Sequence, residues 1–383
     1  MTLLKWKPAS DITIYRRQRA INELFIADER DNNAINKKHR RTLVSTPPTY
    51  AGNGIWEDLK QLWGYYVSAV GWVVSTFAGN GDSTRFNSPF GVAVDSSGNV
   101  YVSDYLNHRI RKITSGGVVS TLAGTGDSGY QDGAAASARF SYPSGIAVDS
   151  DGNVYVADNG TSRIRKITAS TGIVSTLAGD GTDGDVDGAA NSAKFYSPYG
   201  LALDSSGNVY VADYNNHKIR KIDVSTDIVS TLAGTGDSGF QDGAVAKFSF
   251  PSGIAVDSSG NVYVTDNERI RKITSAGVVS TFAGTGAGGY LDGAADSSKF
   301  NNPSSLAVDS SENVYVTDNE SIRKITSTGI VSTLAGSGPY SGYQDGAAAS
   351  SKFSGPNGVA VDSFGNLYVA DSVNNRIRKI TYQ

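Results

Sequence analysis

The chain has 383 residues, no cysteine, and 34 Lys/Arg against 37 Asp/Glu, for a net charge of −3. The lack of thiols excludes disulfides, thiolate metal ligands and a cysteine nucleophile. No stretch is long and apolar enough to be expected to cross a bilayer.

Residues 1–71 are predicted to form a small basic extension, with 11 Lys/Arg against 7 Asp/Glu. Apolar residues recur at helical spacing over 14–30 and 55–70, which predicts two helices. We expect the second helix to pack on the rest of the chain; docking to a partner or to a membrane surface are the alternatives. Charged side chains interrupt the first 25 residues, so no signal peptide is expected and the compartment stays unknown.

One sequence unit then follows six times. Its copies open on prolines spaced 52 to 55 residues apart: Pro89, Pro143, Pro198, Pro251, Pro303 and Pro356. A fixed period of this size is typical of a repeat architecture. Each full unit has four short apolar runs, as in GVAVD (91–95), NVYVSD (99–104), HRIRKI (108–113) and VVSTLAG (118–124). Val, Ile, Thr and Tyr dominate these runs and turn residues bound them, which predicts four antiparallel strands.

The ends of the repeat region predict how the units assemble. The sixth copy ends at Gln383 after its third run, and a fourth-run sequence, WVVSTFAG (72–79), stands before the first copy. Residues 72–383 are therefore predicted to be an all-β, six-bladed β-propeller of four-stranded antiparallel blades. The N-terminal strand 72–79 would join the last blade and close the ring. We expect this propeller to be a monomer.

The third runs also carry a family resemblance. DYLNHRIRKI (104–113) and DYNNHKIRKI (213–222) contain an Asn-His-[Arg/Lys]-Ile core that resembles the NHL repeat, and the wider pattern is similar over residues 72–383. The resemblance implies a six-bladed propeller. It also implies a family of sensor domains, protein-interaction modules, some RNA binders and a few enzyme relatives.

Several motifs that suggest a ligand in isolation are repeat positions. Residues 124–129 spell GxGxxG, but the same loop recurs at 234–239 and no crossover helix follows. Residues 183–187 resemble the start of a calcium loop whose closing Glu is replaced by Lys194. Two histidines in the repeats are too few for the usual zinc site. We therefore expect no catalytic residue, no metal ligand and no cofactor.

Each third run also carries an Arg-Lys pair, so the repeats place twelve cations symmetrically round the ring. An RNA-binding face needs concentrated positive charge. We expect these cations to pair with the repeated aspartates, and we expect no nucleic-acid partner.

The differences between copies indicate where a site could lie. The loops after the second strand and before the first strand share one side of the propeller, which we call face A. Blades 1 and 3 have aromatic sets there: Phe90, Tyr105 and His108 in blade 1, and Tyr199, Tyr214 and His217 in blade 3. The other blades have Ser or Asn after the proline and after the second strand, and blades 4 and 5 have shortened, acidic loops.

These sets predict two aromatic pockets on face A, since rings with a polar edge suit peptides, glycans or flat ligands. The alternative is that duplication of a two-blade unit copied the sets without a function. The sequence favours a non-catalytic scaffold that binds a protein, peptide or glycan, without deciding whether the chain is an enzyme. The alternatives are a lyase- or hydrolase-like propeller enzyme with an axial metal, and a single-stranded RNA binder.

Overall fold

The computed structural model describes residues 71–79, 85–338 and 340–383. These residues form six antiparallel sheets, and the four main strands of each blade pair in chain order except that the N-terminal strand serves as the fourth strand of blade 6. The prediction of an all-β, six-bladed β-propeller is confirmed. The helices predicted for the N-terminal extension lie outside the described residues.

The strand bounds follow the repeat. From first to fourth strand they are Pro89–Val94, Val100–Asp104, Arg109–Ile113 and Val119–Ala123 in blade 1; Pro143–Val148, Val154–Asp158, Arg163–Thr168 and Ile173–Ala178 in blade 2; and Pro198–Leu203, Val209–Asp213, Lys218–Asp223 and Ile228–Ala233 in blade 3. They are Pro251–Val256, Val262–Asp266, Arg269–Ile273 and Val279–Ala283 in blade 4; Pro303–Val308, Val314–Asp318, Ser321–Ile325 and Ile330–Ala335 in blade 5; and Pro356–Val361, Leu367–Asp371, Arg376–Tyr382 and Trp72–Ala78 in blade 6.

Blade 6 is built from the two ends of the repeat region. Trp72–Ala78 pairs antiparallel with Arg376–Tyr382, and Trp72 lies opposite Tyr382 with the ring centroids 5.5 Å apart. The N–H of Gly71 donates to the carbonyl of Gln383 at 2.7 Å, and the reverse bond is 3.0 Å long. The strand that precedes blade 1 in sequence is thus the fourth strand of blade 6.

Four blades carry a short fifth strand that the sequence did not predict. Gly133–Ala134 pairs with the outer edge of blade 2, because the loop between blades 1 and 2 turns back along that strand. Blades 3, 5 and 6 have counterparts at Gly188–Ala189, Gly293–Ala294 and Gly346–Ala347. In blade 4, Gly243 and Val279 exchange two backbone hydrogen bonds of 2.8 and 3.1 Å at the same place. Two-residue pairings flanked by turn residues cannot be distinguished from loop by pattern.

Short 3-10 turns are the helical elements of the described residues. Three follow the second strands of blades 1, 2 and 3, at Tyr105–Asn107, Asn159–Thr161 and Tyr214–Asn216, and one lies at Ala348–Ser350. No helical segment in the described ranges has the length and hydropathy that a membrane crossing requires.

The apolar core lies between neighbouring blades and not inside any one of them. The second strands are buried along their whole length, because each sheet is covered on both faces. Each interface also buries one phenylalanine from the inter-blade loop at 0% exposure: Phe86, Phe140, Phe195, Phe248, Phe300 and Phe353. Burial of one such ring contributes about 1.5–3 kcal/mol.

The twelve repeated cations make contacts within their own blades. Arg165 is fully buried, with Nη1 2.8 Å from Asp158 and Nη2 2.5 Å from Asp132. Its neighbour Lys166 places Nζ 5.2 Å from the ring centroid of Tyr155. The predicted pairing with aspartates is therefore found for the arginines, whereas the lysines lie over the strand-two tyrosines.

Candidate binding site on face A

Face A is assembled where the second strand ends and the next turn begins. In blade 1 the N–H of Asn87 donates to Asp104 at 2.8 Å, and the N–H of Leu106 donates to the carbonyl of Asn87 at 3.1 Å. These bonds hold the segment before the first strand against the turn after the second strand. The turn ends at His108, whose φ of 52° sends the chain back into the third strand.

The aromatic side chains of blades 1 and 3 form one continuous series of contacts across this face. Phe90 and Tyr199 meet edge to face with centroids 4.9 Å apart, and Tyr105 and Tyr214 extend the series outward at 5.5 and 5.0 Å. We call the whole series the aromatic row; in order its eight rings are His108, Tyr142, Tyr105, Phe90, Tyr199, Tyr214, Phe250 and His217.

The structure joins what the sequence predicted as two pockets. Phe90 and Tyr199 belong to blades 1 and 3, and blade 2 lies between them with the small, fully buried Ser144 at the equivalent position. The Ser144 hydroxyl donates to the backbone carbonyl of Tyr199 at 3.0 Å. Because Ser144 has no ring, the two aromatic side chains reach each other. The prediction of two separate pockets was wrong in this respect.

Two rings of the row were missed by the sequence reasoning. Tyr142 packs between Tyr105 and His108 at 5.2 and 4.7 Å, and Phe250 packs between Tyr214 and His217 at 5.1 and 4.5 Å. They are 40% and 45% exposed, so both ends of the row face solvent. A signal existed: each precedes the proline of the next blade, where the remaining copies have the small or polar residues Ser88, Ser197, Asn302 and Gly355.

His108 and His217 fasten each end of the row to the following blade. The N–H of Tyr142 donates to Nδ1 of His108 at 3.1 Å, and the N–H of Phe250 donates to Nδ1 of His217 at 3.1 Å. A protonated ring nitrogen cannot accept a hydrogen bond, so Nδ1 of each histidine carries no proton. The one N–H hydrogen of the neutral ring is therefore on Nε2. Burial lowers the pKa of both imidazoles, which favours this neutral form.

Other blades make the same connection with different side chains. Asn375 accepts from the N–H of Ser88 at 2.8 Å, while Glu268 and Glu320 accept from Asn302 and Gly355 at 2.9 and 3.0 Å. Partial burial raises the pKa of Glu320. The acidic residues of the shortened loops therefore have a structural partner in the next blade.

The row tyrosines differ from the strand-two tyrosines in their hydroxyl groups. Among the described residues, the hydroxyls of Tyr105, Tyr142, Tyr199 and Tyr214 have no hydrogen-bond partner. Burial, reinforced by Tyr105 and Tyr214, raises the pKa of Tyr199 far above its ordinary value, and burial with Tyr142 raises the pKa of Tyr105. The hydroxyls of Tyr199 and Tyr105 therefore remain neutral donors and acceptors at physiological pH.

The first strands of all six blades line the central channel, of about 260 Å³. A Cβ on Gly145 would lie 2.4 Å from the carbonyl oxygen of Tyr199, so the strands approach too closely for a side chain there. The described lining consists of glycines, aliphatic side chains, serines and two row aromatics, and it contains no histidine or carboxylate. This donor set does not fit an axial metal ion.

The three aspartates in the segment that resembles a calcium loop, residues 183–187, all contact other side chains. Asp183 accepts from Ser162 at 2.5 Å, Asp185 contacts Lys218 at 2.5 Å, and Asp187 contacts Arg220 at 2.5 Å. No group of three or more His, Asp or Glu within the described ranges is arranged to hold a metal ion.

Comparison with known proteins matches this architecture. The NHL repeat pattern matches residues 86–113, 140–167, 195–222 and 353–380, and the Teneurin NHL domain pattern matches residues 234–290. Among solved structures, a Bacteroides thetaiotaomicron protein of unknown function superposes with a TM-score of 0.63 at 21% identity, covering 82% of this chain and 76% of that one. A gluconolactonase from Xanthomonas campestris superposes with a TM-score of 0.56 at 13% identity, covering 83% of this chain and 93% of that one. At these identities the likeness concerns the fold alone.

Curated relatives share the repeat. Protein SUPPRESSOR OF QUENCHING 1 of Arabidopsis thaliana is 33% identical over 52% of this chain and 22% of its own length. Teneurin-3 of Mus musculus is 25% identical over 98% of this chain and 16% of its own length. NHL repeat-containing protein 2 of Bos taurus is 35% identical over 34% of this chain and 20% of its own length. The chain thus spans about a fifth of the length of each of these relatives.

Fold and site together define a six-bladed β-propeller that carries an aromatic surface on one face. The repeat matches then place it more closely: the chain belongs to the NHL-repeat β-propeller family.

Proposed function

We propose that the chain is a non-catalytic binding module whose aromatic row takes a segment of a protein, peptide or glycan. The hydroxyl groups carry this proposal. The hydroxyls of four tyrosines in one connected surface have no hydrogen-bond partner within the described residues, although the rings are packed against one another. Packed rings with unused hydroxyls offer apolar contact and hydrogen bonds to the same ligand.

The packing also supports recognition of an extended ligand. Each ring of the row contacts one or two others, which limits the side-chain entropy lost on binding. Both ends of the row are exposed, so a chain can continue past it in either direction. A peptide or glycan strand uses such a surface better than a compact metabolite does.

The alternatives find less support in the described residues. An axial metal would need ligands that the channel lining does not supply. An RNA surface would need free cations, but the repeated arginines are buried on aspartates and the lysines lie over tyrosine rings. The lactonase named above shares the fold at an identity that carries no activity to this chain.

Binding of the full-length chain to peptide and glycan arrays tests the proposal. We expect selective binding that is lost in the double variant Tyr105→Ala/Tyr214→Ala. Tyr340→Ala is the matched control, because Tyr340 is 71% exposed and lies outside the row. Equal binding by the wild type and the double variant would refute the role of the row.

A further inference from the structure

Blade 1 lacks a loop that every other blade has. From Gly79 to Pro89 the chain advances 10 positions, whereas from Gly124 to Pro143 it advances 19. Alignment on the buried Phe86 and Phe140 shows that the missing segment corresponds to residues 130–138, YQDGAAASA. In this alignment Asp82 corresponds to Asp127, and no residue of the shorter loop corresponds to Asp132.

The missing segment has a defined task in the other blades. In blade 2, Asp132 contacts Nη2 of Arg165 at 2.5 Å and accepts from the N–H and hydroxyl of Thr176 at 3.0 and 2.9 Å. Nη2 of Arg165 also donates to the carbonyl of Gln131 at 2.9 Å. The arginine and threonine thus bind both a carboxylate and the peptide group before it.

The same arrangement recurs in every other blade that has the loop. The loop aspartates are Asp187, Asp242, Asp292 and Asp345, and each accepts from the N–H of the equivalent threonine at 2.9 to 3.1 Å. Their arginines, Arg220, Arg271, Arg323 and Arg378, each donate to the carbonyl before the aspartate at 2.8 to 3.0 Å. Partial burial acts to raise the pKa of Asp132, but Arg165 and Thr176 outweigh it, and the pKa is lowered.

Blade 1 retains the arginine and the threonine that bind the loop aspartate in the other blades. Arg111 contacts Asp104 through Nη1 at 2.9 Å, and among the described residues its Nη2 has no partner. The N–H and hydroxyl of Thr121 likewise have none within the described ranges. Thr121 is exposed and Val119 is partly exposed, whereas the valines equivalent to Val119 are buried at 0 to 2%.

A cleft of about 890 Å³ occupies this position, and we call it the blade 1 cleft. Its lining includes Arg85, Arg109, Arg111 and Thr121. In blade 2 a tyrosine of the loop covers the corresponding arginines, with Arg163 3.9 Å and Arg165 4.8 Å from the Tyr130 ring centroid. The three cations of the blade 1 cleft have no such cover from the described residues.

We infer that the blade 1 cleft binds an acidic, extended segment of a partner protein. An Asp or Glu carboxylate contacts Arg111 and Thr121, and the backbone beside it adds to the outer edge of Val119–Ala123. The positive charge of the described lining selects an acidic partner, and the open strand edge selects a peptide over a free anion. This surface uses none of the eight rings of the aromatic row.

The loop between blades 1 and 2 supplies the probe. A synthetic peptide of residues 128–138, SGYQDGAAASA, is titrated into the full-length protein by calorimetry. We expect saturable binding, weakened about 10- to 100-fold when the peptide carries Asp132→Asn, because the charged hydrogen bonds are lost. Absence of binding, or equal binding of the Asn peptide, overturns the inference.

Two protein variants locate the binding. Arg111→Gln should abolish it, but this change also removes the ion-pair partner of the buried Asp104. The second variant therefore fills the cleft: residues 130–138 are inserted between Thr84 and Arg85, so that blade 1 gains the loop of the other blades. We expect this variant to fold and to reject the peptide. Peptide binding unchanged by the insertion overturns the inference.

Discussion

Two groups of tyrosines in this molecule differ in what their hydroxyl groups contact. The strand-two tyrosines, such as Tyr101 and Tyr263, are 3% and 1% exposed, and their hydroxyls donate to the turn aspartates Asp95 and Asp257 at 3.1 and 3.3 Å. The row tyrosines pack ring on ring and keep their hydroxyls without described partners. The hydroxyls of the first group stabilise the blade, whereas we propose that those of the second group bind a ligand.

The largest expected difference between the groups is in stability. Tyr263→Ala should lower the free energy of unfolding by about 3–5 kcal/mol, because it leaves a cavity between two blades. Tyr214→Ala should lower it by about 1 kcal/mol, because its ring is only partly buried. Denaturant unfolding of both variants measures the difference, and equal losses would remove the distinction between the groups.

Removal of the hydroxyl alone separates the groups more finely. Tyr263→Phe should cost about 1–2 kcal/mol, since Asp257 loses a donor at a buried position. Tyr214→Phe should change the unfolding free energy by less than about 0.5 kcal/mol, since no described bond is lost. A cost for Tyr214→Phe as large as that for Tyr263→Phe would mean that the row hydroxyl has a structural partner.

The smallest expected effect concerns the histidines at the ends of the row. Their pKa values are lower in the folded state than the ordinary 6.5, so the unfolded chain binds more protons. The stability they contribute is therefore fully present above pH 6.5, and it is lost as the pH falls through the lowered folded-state values. Unfolding measured from pH 8 to pH 5 should show this decline.

His108→Asn/His217→Asn is the matched control for that decline. Asn375 makes the same connection in blade 6 with a side chain that does not titrate, at a φ of 54°. The double variant should keep the fold and show a flatter dependence on pH between 7 and 5. An unchanged decline would assign the effect to other groups.

The sequence predicted the fold well because the period and the strand chemistry repeat in every blade. The breaks in the repeat also led to Phe90, Tyr105, His108, Tyr199, Tyr214 and His217, whose role in binding stays a prediction. The sequence did not show that Phe90 and Tyr199 touch, because that contact depends on the small Ser144 of the intervening blade. Unused hydroxyl groups are a property of three-dimensional neighbours, and no spacing in the chain reports them.

The blade 1 cleft is a second feature that the sequence alone could not predict. The shortened loop before Pro89 is visible in the sequence, but its consequence depends on the buried Arg111 and the edge of Val119–Ala123. Only the comparison with the bonds of Asp132 in blade 2 shows what the missing segment would have contacted.

The most direct test of the central claim is the affinity of the full-length chain for its best array ligand, measured for the wild type and for Tyr105→Phe/Tyr199→Phe/Tyr214→Phe. The triple variant keeps every ring and removes only hydroxyl groups without described partners. We predict an affinity at least about tenfold weaker, with the unfolding free energy unchanged. An unchanged affinity would contradict the account.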